Sequence, residues 1–230
     1  MDVKHLVPFQ VCVRETDLMI FADRNLTREA LQSVHQFRSQ IENYILQHPE
    51  FKTTLVPLPA DPTAPPLVQD MLLAAKIAGV GPMAAVAGAI AQHVGHALER
   101  ECPNVVVENG GDIYLNSKED IAIGIFSGTS VLSGRVALRI SPNQMPLGVC
   151  TSSSTVGPSL SLGYADAVCI AARDAALADA MATSVGNRVV QKKDIKQALD
   201  FALSVDNIIG AVIIFKDAIG VKGNLEIFPT

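Results

Sequence analysis

The stretch Asn104-Val-Val-Val-Glu-Asn-Gly-Gly-Asp-Ile-Tyr-Leu-Asn116 decides the fold class. Two short β-prone runs, Asn104 to Glu108 and Ile113 to Leu115, flank paired glycines that accept positive φ, the pattern of an antiparallel hairpin. Ile121 to Ile125 and Val136 to Ile140 continue the series, split off by Ser117-Lys118 and Gly134, so successive antiparallel strands are expected. Further on, Ala167 to Ala172 reads as strand and Asp174 to Ser184 and Lys193 to Leu203 as helices. Ile209 to Phe215 and Ile219 to Phe228 read as strand again. Upstream, Phe9 to Arg14 and Leu18 to Ala22 form a hairpin across Glu15-Thr16-Asp17. Thr27 is the expected cap of a helix from Arg28 to Gln47, where Leu31, Val34, Phe37, Ile41, Tyr44 and Ile45 recur at helical spacing before His48-Pro49 stops it. Strands and helices come in runs without a regular βαβ beat, which makes the class α+β rather than doubly wound.

Five prolines between Pro57 and Pro66 forbid regular structure there. The expected organisation is one domain over residues 1–230, with this proline-rich loop between an N-terminal hairpin-helix unit and the main body. Past the loop lie Leu67 to Ala78, the link Gly79-Val80-Gly81-Pro82 and a helical run from Met83 to Arg100. Nine alanines fall between Met71 and Arg100, so this helix should pack closely all round at the centre of the molecule.

Of 230 residues, 49% are hydrophobic, enough for a large core. Eighteen basic against 23 acidic side chains, net −5, with no tryptophan and no Lys/Arg-rich block, argue against nucleic acid as a partner. Cys12, Cys102, Cys150 and Cys169 show no C-x-x-C spacing, so neither a zinc knuckle nor a thioredoxin-like pair is suggested. They are expected reduced and mostly buried. The first residues lack an apolar signal region, so a cytoplasmic location is expected. Ile77 to Ala91, with Pro82 and three glycines, is too short for a bilayer that needs ~20 apolar residues, and no membrane partner is expected. The short strands expose apolar edges suited to self-association into a homo-oligomer.

Four segments carry possible chemistry. In Cys150-Thr-Ser-Ser-Ser-Thr-Val-Gly-Pro158, five successive hydroxyls precede a glycine in an expected exposed turn, suited to phosphate oxygens. Such a run also serves simply to satisfy its own backbone. A serine nucleophile is disfavoured by the absence of a G-x-S-x-G context. In Ala178-Asp179-Ala-Met-Ala-Thr183-Ser184, a carboxylate and a hydroxyl four residues apart share a helix face, a ledge of hard oxygens for Mg²⁺. The blander account is an Asp compensating a helix dipole and a Thr bonded to its own helix. Glu108-Asn-Gly110-Gly111-Asp112 lets a ligand approach the backbone, or is merely a turn. Gly79-Val-Gly81-Pro82 opens a helix whose first N–H groups suit an anion. His93 and His96 lack an H-E-x-x-H frame and are expected to be ordinary surface or core residues.

Taken together, these segments resemble the ApbE family, flavin transferases that move FMN from FAD onto a threonine of a target protein. Glu108 to Ile113 is similar to the family's GGDI turn, Cys150-Thr151-Ser152 to its T-S-G loop, and Ala178 to Thr183 to its A-D-A-x-A-T helix. Glu15-Thr16-Asp17, Phe51, Val80 to Ala91 and Leu162 to Asp166 resemble a prokaryotic branch of that family, over nearly the whole chain. The resemblance implies the ApbE-like, T-fold-related α+β architecture: antiparallel sheets with packed helices, and two sheet-and-helix halves around a central cleft. It implies Asp179 and Thr183 as catalytic residues holding Mg²⁺ together with the backbone carbonyl of Ala84. Gly81, Met83, Gly110, Gly111, Asp112, Thr151, Ser152 and Ser153 are implied to bind FAD. A nucleotide-type small molecule and a protein acceptor are the implied partners.

Two departures bear on activity. The family's G-G-x-A-K-G segment appears as Gly81-Pro82-Met83-Ala84-Ala85-Val86, with Ala85 in place of the lysine. Its H-x-x-D-P segment should fall between Pro158 and Ala167, where there is no histidine. Two rivals to a transferase therefore stand: a non-catalytic ligand-binding module, or an enzyme of anaerobic sulfur or amino-acid metabolism on the same scaffold.

Overall fold

The computed structural model describes residues 3, 5–153 and 163–230. The chain opens with the hairpin β1 (Val7–Val13) and β2 (Thr16–Ala22), then α1 (Thr27–Gln47) and the single turn α2 (Glu50–Thr53). After the proline-rich loop come α3 (Pro66–Ala78), a 3-10 turn over Pro82–Ala85 and α4 (Val86–Leu98). Five strands follow: β3 (Val105–Asn109), β4 (Asp112–Asn116), β5 (Ile121–Gly124), β6 (Val136–Ile140) and β7 (Leu147–Ser152). The chain ends with β8 (Ala167–Ala172), α5 (Ala175–Gly186), α6 (Ile195–Ala202), β9 (Ile208–Phe215), β10 (Ala218–Gly223) and β11 (Glu226–Pro229).

Eight strands make one antiparallel sheet in the order β1-β2-β3-β4-β7-β8-β9-β10, and β11-β6-β5 make a second. Because side chains alternate along a strand, the central strands feed two cores. Val168, Ile170 and Ala172 of β8 face the helices, while Ala167, Cys169 and Ala171 face the smaller sheet. This explains why β8 is continuously apolar rather than alternating. The helices cover one face of the large sheet and the three-stranded sheet covers the other, so the molecule is stacked in three layers instead of divided into two sheet-and-helix halves.

Most expected elements are present, with physical differences at their ends. Leu26, not Thr27, is the cap of α1; Thr27 is already helical, and its N–H and hydroxyl both donate to Asn25 Oδ1 at 3.0 and 2.7 Å. The run from Met83 begins as a 3-10 turn because Pro82 sits at its first position and α4 starts only at Val86. Ile219 to Phe228 is two strands, separated at Gly223 (φ 103°), and β11 joins the smaller sheet.

The largest difference is at Cys150-Thr151-Ser152. This is the end of strand β7 in the middle of the large sheet, with Cys150 fully buried, and not an exposed turn. A β-carbon on Gly148 would lie 2.3 Å from Ala175 Cα, so β7 must carry a glycine where α5 docks, and that glycine masks its strand character. Ser154, Thr155, Gly157, Pro158 and Leu162 lie outside the described residues. Cys12 is exposed, the other three cysteines are buried, and all four are free thiols. No single helix among the described residues is long and apolar enough to cross a membrane; the bent pair of α3 and the Pro82–Leu98 segment turns by 107°.

Candidate functional site

Asp174 caps α5, accepting from the Leu177 N–H at 2.7 Å and from Gln92 Nε2 at 2.9 Å, which ties the start of α5 to α4. One turn further on, Asp179 projects toward the start of α4, where its Oδ2 accepts the Gly88 N–H at 2.9 Å. The carboxylate therefore meets the positive end of α4 across 91 residues of sequence. This is the anion that the open N–H groups of that helix invited, and it comes from the chain itself. Gly88 makes the approach feasible, since a β-carbon there would lie 2.2 Å from the Ala175 carbonyl oxygen and 2.8 Å from Asp179 Cβ. Thr183, four residues along, continues the same face.

Asp112 reaches the same place from the large sheet. Gly110 and Gly111, both at positive φ (63° and 102°), form the two-residue loop that pairs Asn109 with Asp112. Asn109 Nδ2 donates to the Ala87 carbonyl at 3.1 Å and pins this hairpin to the first turn of α4. Asp112 is only 9% exposed, and its Oδ1 is buried without a hydrogen-bond partner. An orphaned buried carboxylate oxygen is costly, which makes it the most informative atom in the molecule. Burial, then the charge of Asp179, pushes the Asp112 carboxyl well above the usual carboxylate range. Burial also raises Asp179, against the opposing N–H groups of Gly88 and Ala87. The Cys150 thiol, buried beside both carboxylates, is likewise pushed well up.

Asp112, Asp179 and Thr183 border a cavity of about 240 Å³. Gly81, Met83 and Ala84 form one wall with Val80, Val86 and Ala87; Asp112, Asp179, Thr183 and Asn187 form another; Lys52, Thr54 and Leu55, following Phe51, close the third. The structure thus brings together Gly81, Met83, Ala84, Asp112, Asp179 and Thr183. Gly110, Gly111, Thr151, Ser152 and Ser153 are not part of this lining: the glycines shape the turn that delivers Asp112, and Ser153 Oγ donates to the Asp166 carbonyl at 2.6 Å.

A family model described as AbpE bacteria matches residues 2–224. The chain belongs to that family. Among its relatives, the UPF0280 protein of Methanocaldococcus jannaschii is 38% identical over 222 residues, 94% of this chain and 90% of that protein. The UPF0280 protein of Methanocella arvoryzae is 40% identical over 214 residues, 93% of this chain and 87% of that protein. Among solved structures, a variant of the flavin transferase ApbE from Vibrio cholerae aligns with TM-score 0.60 at 12% identity, over 98% of this chain and 97% of that one. The ApbE protein of Thermotoga maritima aligns with TM-score 0.61 at 11% identity, over 95% and 97%. The ApbE-like resemblance and the α+β fold both hold.

Within this AbpE-family chain, the donor set suits a hard divalent cation. Asp179, the unpartnered Asp112 Oδ1 and the Thr183 hydroxyl are all oxygen donors, the class Mg²⁺ prefers. Among the described residues there is no cluster of three or more His, Cys, Asp or Glu side chains, so hydroxyl, carbonyl, water or ligand oxygens would complete any such shell. His93 and His96 stay apart from it; His93 Nε2 lies 2.8 Å from Asp70 Oδ2 and His96 packs edge-on against Tyr114.

Sequence reasoning missed Lys52, Thr54, Leu55 and Asn187. Asn187 carries a signal in hindsight: it extends the Asp179–Thr183 spacing by four more residues. The Lys52 to Leu55 segment carries none, because its place depends on how α2 docks.

Proposed function

We propose that this cavity binds the diphosphate of a flavin nucleotide, FAD, together with Mg²⁺, and that the chain transfers the FMN moiety to a hydroxyl of an acceptor protein. Asp179, Thr183 and the Ala84 carbonyl would hold the ion, with Gly81, Met83 and Asp112 against the nucleotide. The observation that carries this reading is the unpartnered Oδ1 of Asp112, buried beside Asp179 in a cavity that also presents Thr183 and Ala84. When bound, Mg²⁺ would neutralise charge on the diphosphate and on the leaving phosphate.

Volume sets which part of the ligand is enclosed. About 240 Å³ falls below the ~300–1,000 Å³ that surrounds a drug-sized molecule, so the cavity suits a phosphate end with the rings outside it. In the transfer, an acceptor hydroxyl oxygen forms a bond to the FMN phosphorus as the diphosphate bond breaks; AMP leaves, and the hydroxyl proton is released to the AMP phosphate or to solvent. The chain's own part is to hold the phosphorus in line and to shield it from water. A ligand-binding module without transfer is the second reading. It is favoured by Ala85, which stands where the resembled family has lysine and is fully buried away from the cavity.

Thermal unfolding with and without FAD and Mg²⁺ tests binding: ligand at 100 times its Kd stabilises by ~2.7 kcal/mol. Incubation with a threonine-bearing acceptor tests transfer through AMP release. No thermal response removes the flavin reading; a response without AMP supports the second one.

A further inference from the structure

We propose that Lys52 is the cation that receives the phosphate of an anionic ligand in this cavity, contributed by α2 from a different part of the chain than the 3-10 turn holding Ala85. The inference rests on the reading of the cavity as a phosphate site and names the residue that completes its charge.

Lys52 is the one cationic side chain on the lining among the described residues. Its backbone is fixed while its ammonium is free. On one side, Phe51 is fully buried and meets Tyr44 edge-on at 5.1 Å between ring centroids. On the other, the Thr54 carbonyl presses so closely on Gly81 that a β-carbon there would lie 1.9 Å from the oxygen. The segment between them is therefore clamped onto the wall of the cavity. Lys52 itself is exposed, and no described residue forms an ion pair or side-chain hydrogen bond with it. Two arginines of the N-terminal hairpin and α1 are already engaged elsewhere: Arg14 with Glu42 at 3.1 Å, and Arg38 with Glu15 and Glu42 at 2.7 and 2.9 Å.

Charge arithmetic gives the lysine a task. Asp112 and Asp179, when ionised, carry two negative charges, which a single divalent cation cancels. A diphosphate diester brings two more, and nothing else on the lining opposes them. An ammonium on a flexible stem, entering from the open side, acts as the point charge such a group needs. Ala85 points into the core and cannot be the source of that charge.

Calorimetric titration of the full chain, in Mg²⁺, with FAD and separately with inorganic pyrophosphate tests this on the wild type, Lys52→Ala and Lys52→Arg. Lys52→Ala is expected to weaken binding of both probes about tenfold or more, the loss typical of one charge-assisted contact. Lys52→Arg should retain most of it, and the unliganded melting temperatures should coincide because the side chain is exposed. Wild-type affinity for FAD and pyrophosphate in Lys52→Ala overturns the role of Lys52 while leaving the flavin reading intact. Lysine-dependent binding of pyrophosphate with no binding of FAD supports Lys52 and removes the flavin reading. If the wild type binds neither probe, both are overturned.

Discussion

The Gly88 N–H donates to Asp179 Oδ2 at 2.9 Å, joining the start of α4 to the middle of α5. One carboxylate oxygen of Asp179 is thus committed to a helix end. The carboxylate has a structural task even without a ligand, and its orientation is set before any ion arrives. Its neighbour Asp112 keeps one oxygen, Oδ1, buried without a partner.

Gly88→Ala should disrupt both fold and site. The new β-carbon would meet the Ala175 carbonyl oxygen at 2.2 Å and Asp179 Cβ at 2.8 Å, neither of them the tip of a flexible side chain. The two helices must separate, costing about 1–3 kcal/mol by the general scale of overpacking. Urea unfolding measures it. A variant as stable as the parent would show that α4 and α5 do not sit this close.

The aspartate pair sets a pH dependence of definite sign. Both native carboxyls titrate above the unfolded value near ~4, so each binds its proton more tightly when folded. Their contribution to stability is complete below that value and is lost as pH rises through the raised native pKa values. The chelated protein should therefore lose stability with increasing pH, and Mg²⁺ should restore more of it at pH 8 than at pH 5. Asp112→Asn should flatten the slope and raise the melting temperature of the chelated protein at neutral pH. An Asn variant with the parent's slope would separate Asp112 from Asp179.

Much of this was legible from residue order, and the failures have physical causes. The Gly110-Gly111 hairpin could be read because a two-residue glycine loop has few other solutions, and the Asp179–Thr183 ledge because four residues make one helical turn. Strand β7 was hidden because Gly148, demanded by the docking of Ala175, and two hydroxyls dilute its apolar signal. The stacking of the smaller sheet was hidden because alternating side chains on β8 and β9 feed cores on both faces, which a one-dimensional pattern shows only as uniform hydrophobicity. Lys52 was invisible because its position follows from where Phe51 is buried, a tertiary fact.

Phe51 anchors that third wall. It is fully buried, and Phe51→Ala should cost about 3–5 kcal/mol, the usual range for emptying an aromatic site in a core. Phe51→Leu should cost less. In both, ligand affinity should fall in step with the loosening of the Lys52 to Leu55 segment, whereas Leu46→Ala, at a site 79% exposed, should change neither. Denaturant titration with parallel calorimetry separates these outcomes, and an unaltered Phe51→Ala protein would contradict the docking of α2.

Thr183 offers the cleanest separation between packing and coordination. Thr183→Val keeps the branched shape and removes the hydroxyl, while Thr183→Ser keeps the hydroxyl and removes the methyl group. If the oxygen holds an ion, the valine variant should fold with nearly the parent's stability in chelator and lose the Mg²⁺-dependent rise in melting temperature. The serine variant should keep that rise. The opposite ranking would assign Thr183 to packing between α5 and the cavity wall, and would leave the ion to the carboxylates of Asp179 and Asp112.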